Sequence, residues 1–137
     1  MFAVCGGAAV LRVGPDQRYA TPCRAAAEAA AGDTIQIDAA GNYDGDVCSW
    51  TTNGLTIIGV NGRPKIDAAG QSYRGRTTWL ISGNDTTVEN IELTGARGPY
   101  DNGAAIWQMG TNLTVRKCYI HGNEDGILAG DNPTSHI

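Results

Sequence analysis

The apolar positions of this chain follow two periods, one after the other. In "TPCRAAAEAAAG", Thr21 to Gly32, Thr21 suits an N-cap, Pro22 the first helical position, the alanines and Glu28 a helix interior, and Gly32 its end. The segment predicts one helix over residues 22–31. From Asp33 onward the pattern changes to short runs of Ile, Leu, Val and Thr, each closed by Gly, Asn or Asp. Such runs predict short strands joined by tight turns. The helical pattern does not return.

The strand-like runs repeat. "IDAAGNY" at Ile37 to Tyr43 recurs as "IDAAGQSY" at Ile66 to Tyr73, and "NGLTIIGV", "NDTTVENIEL" and "TNLTVRKCYI" are three versions of one segment. Aligning Ile57, Val88 and Val115 gives spacings of 31 and 27 residues, and Leu80, Ile106 and Ile127 form a second series spaced by 26 and 21. A period of that length built from strands and turns predicts a β-solenoid, in which each coil buries its inward side chains on the coils above and below. The offset of 27 sets Cys118 at the place of Ile91, His121 opposite Thr94 and Gly122 opposite Gly95. Cys118 is therefore expected as an inert core thiol, and His121 as a strand-ending corner residue.

Two stretches carry a family resemblance. "AAAEAAAGDTIQIDAAGNYDG" resembles the cap helix and first coil, and "GAAIWQMGTNLTVRKCYIHGNEDGI" the coil repeat, of right-handed parallel β-helix proteins of the pectate-lyase-like superfamily, over roughly residues 14–130. The resemblance implies an all-β fold: one domain over 1–137, a right-handed parallel β-helix of about four coils from residue 33, with an N-terminal capping α-helix. A helix across an end coil covers unpaired strand edges. No second cap is visible in "GDNPTSHI", so the chain is expected to be the N-terminal portion of a longer protein, or to self-associate through its uncapped C-terminal end.

The same resemblance implies carbohydrate chemistry, although lyases, hydrolases, uronan epimerases, adhesins and tailspikes share these coils. "RGP" at Arg97 to Pro99 resembles the "RxP" of pectate lyases, with Asn102 where a further Arg is expected. The signatures of the hydrolases and epimerases are absent. The N-terminal texture is most similar to the alginate lyase and chondroitinase type, which implies catalytic Lys, Arg and calcium ligands beyond Ile137. Two functions follow as expectations: part of a secreted polysaccharide lyase-like protein that binds or processes an acidic polysaccharide, or a non-catalytic module for cell-surface adhesion or glycan binding.

Composition narrows the partners. Nineteen glycines in 137 residues fit a turn-rich fold, and a net charge of -4 argues against a nucleic-acid footprint. No run reaches transmembrane length, and the opening "MFAVCGGAAVLRV" shows no export signal. The Ala- and Gly-rich chain reads as bacterial, and the resemblance implies secretion or surface display. Cys5, Cys23, Cys48 and Cys118 lack CxxC spacing, which disfavours structural zinc. Free thiols and a Cys23–Cys48 disulfide both remain open; the pair flanks the expected cap and would imply an oxidising compartment.

Two insertions hold the candidate chemistry. Twelve steps separate Thr94 from Ile106 but only six separate His121 from Ile127, so "ARGPYDN" is extra chain at a corner. Arg97, Tyr100, Asp101 and Asn102 are expected to hang over His121, Glu124 and Asp125. That set offers an aromatic surface with amides and carboxylates for sugar hydroxyls, and Asp101, Asn102, Glu124 and Asp125 could supply oxygens to Ca2+. The plainer reading is a solvated turn. The second insertion carries Arg63, Lys65, Arg74 and Arg76, a patch for a uronate or sulfated glycan, or one that only serves solubility. Asn84 and Asn112 match the glycosylation sequon at one repeat position, better explained by a turn in which asparagines bond along a ladder.

Overall fold

In the computed structural model, which describes residues 7–130 and 135–137, the chain winds into a parallel β-solenoid of about four turns. Residues 1–6, with Cys5 and the start of the segment read for an export signal, and residues 131–134 of the terminal "GDNPTSHI" lie outside the described residues. Three parallel sheets form the walls. Sheet A stacks β1 (Val10–Val13), β2 (Thr34–Asp38), β4 (Thr56–Val60), β7 (Thr87–Glu89), β10 (Leu113–Arg116) and β13 (Ser135–His136). Sheet B stacks β3 (Cys48–Trp50), β6 (Thr77–Ile81), β9 (Ala104–Gln108) and β12 (Asp125–Ala129). Sheet C is the shortest, with β5 (Lys65–Asp67), β8 (Glu92–Thr94) and β11 (Tyr119–His121).

Alternation drives the winding. In sheet A, Leu11, Ile35, Ile57, Val88 and Val115 occupy one register column and are all buried. Ile66, Leu93 and Ile120 form the column of sheet C, and Trp79, Ile106 and Ile127 that of sheet B. Trp50 and Trp79 meet edge to face with ring centroids 5.2 Å apart, filling the first coils. The spacings of 31 and 27 in sheet A are those of the sequence. In sheet B the partner of Ile106 is Trp79 rather than Leu80, because Trp79 belongs to the core cluster and Leu80 does not.

Corners are as repetitive as strands. Before sheet A, Gly32, Gly54, Asp85 and Asn112 fall in one register column, and all four take left-handed backbone (φ 83°, 73°, 58° and 58°). Glycine, aspartate and asparagine tolerate that conformation best. Side chains then lace the coils: Asn84 N donates to Asn53 Oδ1 (2.8 Å), Thr111 N to Asn84 Oδ1 (2.9 Å), and Asn112 Nδ2 to Asp85 Oδ1 (2.8 Å). The two sequon asparagines thus sit one position apart in register, each spent on a neighbouring coil. The twin "IDAAG" motifs are also not equivalent. Ile37 lies in sheet A and Ile66 in sheet C, yet each following aspartate makes the same Asx turn, Asp38 to Ala40 N and Asp67 to Ala69 N.

The helix α1 is shorter than predicted, Pro22–Glu28, and packs against β1, β2 and β3 with Ala25 fully buried. Ala29 is already extended (ψ 137°), since Asp33 draws the chain away: its Oδ2 accepts Ala30 N and its Oδ1 accepts Ala9 N, both at 2.8 Å. Thr21 makes no side-chain cap bond to the helix. Asp46 Oδ2 instead accepts Cys23 N at 3.0 Å, satisfying one of the helix's free amides. Cys23 and Cys48 form a disulfide with Cα atoms 5.8 Å apart, tying α1 to β3.

Candidate functional site

The loop of residues 95–103 is built on Glu124. Its Oε1 accepts Gly98 N (2.6 Å) and Gly103 N (2.9 Å), drawing the two ends of "GPYDNG" onto one carboxylate oxygen. These two backbone bonds, with Arg97 nearby, hold the Glu124 carboxyl below its ordinary pKa. Arg97 Nη1 donates to Ala96 O and Gly122 O, both at 2.8 Å. Asn123 Oδ1 accepts Ala96 N, while its Nδ2 donates to Leu93 O and His121 O. The turn "HGNED" therefore carries the inserted loop, and Arg97 and Glu124 serve its geometry.

The His121 side chain makes its contacts elsewhere. It lies in β11, and with Ile120 turned inward it projects outward on sheet C. There Nε2 meets Glu92 Oε2 at 2.7 Å and the ring stacks on Tyr119, with centroids 3.9 Å apart and planes 14° from parallel. Of the three corner residues His121, Glu124 and Asp125, it is Glu124 that fastens the inserted loop, while His121 ends β11 opposite Thr94 as the register predicts. Asp125 opens β12, where its N donates to Gly103 O at 2.9 Å, and Asp101 takes the left-handed turn position (φ 56°). Among the described residues no three His, Cys, Asp or Glu side chains converge as a metal site. Of the residues considered for calcium, Glu124 gives Oε1 to the loop's amides, and Asp101 meets its carboxylate.

That cleft is where the two insertions meet. It measures about 280 Å³ and is lined by Arg74, Gly75 and Arg76 from one loop, Pro99, Tyr100 and Asn102 from the next, and Trp107 from β9. The loops are joined coil to coil by Ala104 N, which donates to Arg76 O at 2.8 Å. Gly98 backs onto Gly75 so closely that an added Cβ would strike the Gly75 carbonyl oxygen. The Arg76 guanidinium lies over the Trp107 ring, 4.6 Å from its centroid, and Arg74 lies over Tyr73 at 5.6 Å. The Tyr73 phenol is held below its ordinary pKa, first by the Ser49 hydroxyl beside it and then by Arg74. Tyr100 is 84% exposed at the rim. Asn102 Oδ1 is buried with no hydrogen-bond partner and lies against Gly98 of its own loop.

Trp107 is the site residue that the insertions alone do not reveal. Its signal was the alternation of β9: with Ile106 inward, Trp107 must face out, and a tryptophan on an outer sheet face has a use to be explained. Cys118 packs against the core cluster near the last coil, with its Sγ directed to Arg116 O (3.3 Å) and Val88 O (3.6 Å). Burial raises its pKa, which makes it a poor nucleophile. No helix among the described residues is long and apolar enough to cross a membrane. No protein-family profile, curated protein or solved structure matches the chain.

Proposed function

We propose that this chain is part of a right-handed β-helix, capped at its N-terminal end by α1 and secreted or displayed on a cell surface, that binds an acidic polysaccharide in the Trp107 cleft. The carrying observation is the convergence of Arg74 and Arg76 with Trp107, Tyr100 and Asn102 in one open groove. A uronate needs a fork-shaped cation for its carboxylate and a flat apolar face for its ring, and this groove offers both, the arginines and the exposed Tyr100. The Cys23–Cys48 disulfide supports an oxidising compartment. A lyase-like reaction needs a base beside a neutralised carboxylate; Tyr73 has a phenol held below its ordinary pKa, but it does not line the cleft.

Calorimetric titration with oligogalacturonate and oligoalginate tests the binding. Saturable binding that weakens with salt is expected, lost about tenfold or more in Arg74→Gln/Arg76→Gln. Salt-insensitive binding, or none to either polyuronate, would sink the reading. Absorbance from newly formed double bonds separates the two roles: its appearance marks a lyase, and binding without turnover marks an adhesion or glycan-binding module.

A further inference from the structure

The winding of the solenoid splits the basic segment in two. Arg74 and Arg76 face the Trp107 cleft, whereas Arg63 and Lys65 stand at the opposite end of β5, on the corner between sheets A and C. A second cleft opens there, also of about 280 Å³, lined by Gly41, Asn42, Tyr43, Asp44, Arg63 and Lys65. Its floor is fixed, because Tyr43 is buried and its hydroxyl donates to Asp38 O at 2.7 Å. Asn42 Oδ1 accepts Asp44 N at 3.0 Å, which sets the turn that forms one wall.

One of the two cations, Arg63, is held in place. Arg63 Nε donates to Asn90 Oδ1 at 3.3 Å, and Asn90 is itself pinned through Nδ2 to Gly59 O (3.1 Å) and Gly62 O (2.9 Å). One edge of the guanidinium is thereby held, and its terminal nitrogens keep their donors. Neither Arg63 nor Lys65 has an ion-pair partner among the described residues. Asp44 is the one carboxylate in the lining, so the cations outnumber it. Holding an arginine in place before a ligand arrives removes part of the ordering cost of binding.

We propose that Arg63 and Lys65, with Asn42 beside them, form a second anion site that takes one carboxylate or sulfate group, separate from the Trp107 cleft and independent of the function assigned to it. Amide chemical shifts of the isotope-labelled full chain, titrated with galacturonate, sodium sulfate and sodium chloride at matched ionic strength, test it. Shifts at Asn42, Asp44, Arg63 and Lys65 should saturate with galacturonate, sulfate or both, and not with chloride. A response to galacturonate alone assigns the site to uronates, and a response to sulfate alone assigns it to sulfate esters. Arg63→Gln/Lys65→Gln should abolish the response and Arg74→Gln/Arg76→Gln leave it intact. Arg63→Lys, the milder change, keeps the charge and should weaken binding several-fold by losing the Asn90-held fork. Shifts that track ionic strength alike for all three salts, or a saturable response that survives Arg63→Gln/Lys65→Gln, would overturn the proposal. Loss of polyuronate binding in Arg74→Gln/Arg76→Gln reports on the other cleft alone.

Discussion

Asp46 caps a helix that lies 23 residues earlier in the chain. Its carboxylate accepts Cys23 N and is also hydrogen-bonded by Thr21, yet burial outweighs both and raises its pKa above the ordinary aspartate value. The folded state therefore holds this proton more tightly than the unfolded chain does. The contribution of this group to stability is greatest below the unfolded value of about 3.9, declines as pH rises through the raised folded value, and then levels. Asp46→Asn keeps an acceptor for Cys23 N and removes the buried charge, so its stability relative to wild type should rise across that window. Asp46→Ala removes the acceptor and should cost about 1 kcal/mol at neutral pH. Denaturant melts of the three proteins from pH 3 to 7 measure both; a falling advantage for Asp46→Asn with rising pH would refute the account.

At the scale of elements, the loop of residues 95–103 depends on a neighbouring coil. Glu124 has a depressed pKa, so what it contributes is present above the ordinary glutamate value of about 4.3 and is lost as pH falls through the lower folded value. Glu124→Gln should speed hydrogen exchange at Gly98 and Gly103 and weaken glycan binding through the loosened Tyr100 and Asn102, while wild type converges on the variant in acid. Unchanged exchange at both amides would remove Glu124 from this role. The sequence made the insertion legible because coil lengths differ on a common register, and Val88 with Val115 set that register through buried alternation. His121 stands where the register put it, opposite Thr94 as the last residue of β11; its contact with Glu92 was not legible, because it joins two coils. "TTWLI" hid its register because every residue of β6 is buried, leaving no alternation to read. The cleft itself could not be read, since Arg76 and Trp107 meet only when two coils are stacked.

A solenoid is stabilised coil by coil, so an unsupported end opens before the middle does. Here the first coils are cross-braced. The Cys23–Cys48 bond closes a loop of 25 residues, joining α1 to the first strand of sheet B, and Thr52 Oγ1 adds a bond to Ala29 O at 3.1 Å. Closing a loop of that length in the unfolded chain is worth about 3 kcal/mol. Cys23→Ser/Cys48→Ser should lose stability of that order. The loss should be local before it is global: exchange should accelerate first in β1, β2 and β3, while Val88 and Val115 keep their protection until the chain unfolds as a whole. Uniform acceleration across all three sheets would instead mean that the solenoid unfolds as one unit, and that the brace acts on every coil alike. The cleft would then share the fate of the N-terminal end. If the gradient is seen, Trp107 and its arginines stand on coils that outlast the disulfide, and reduction should leave glycan binding intact.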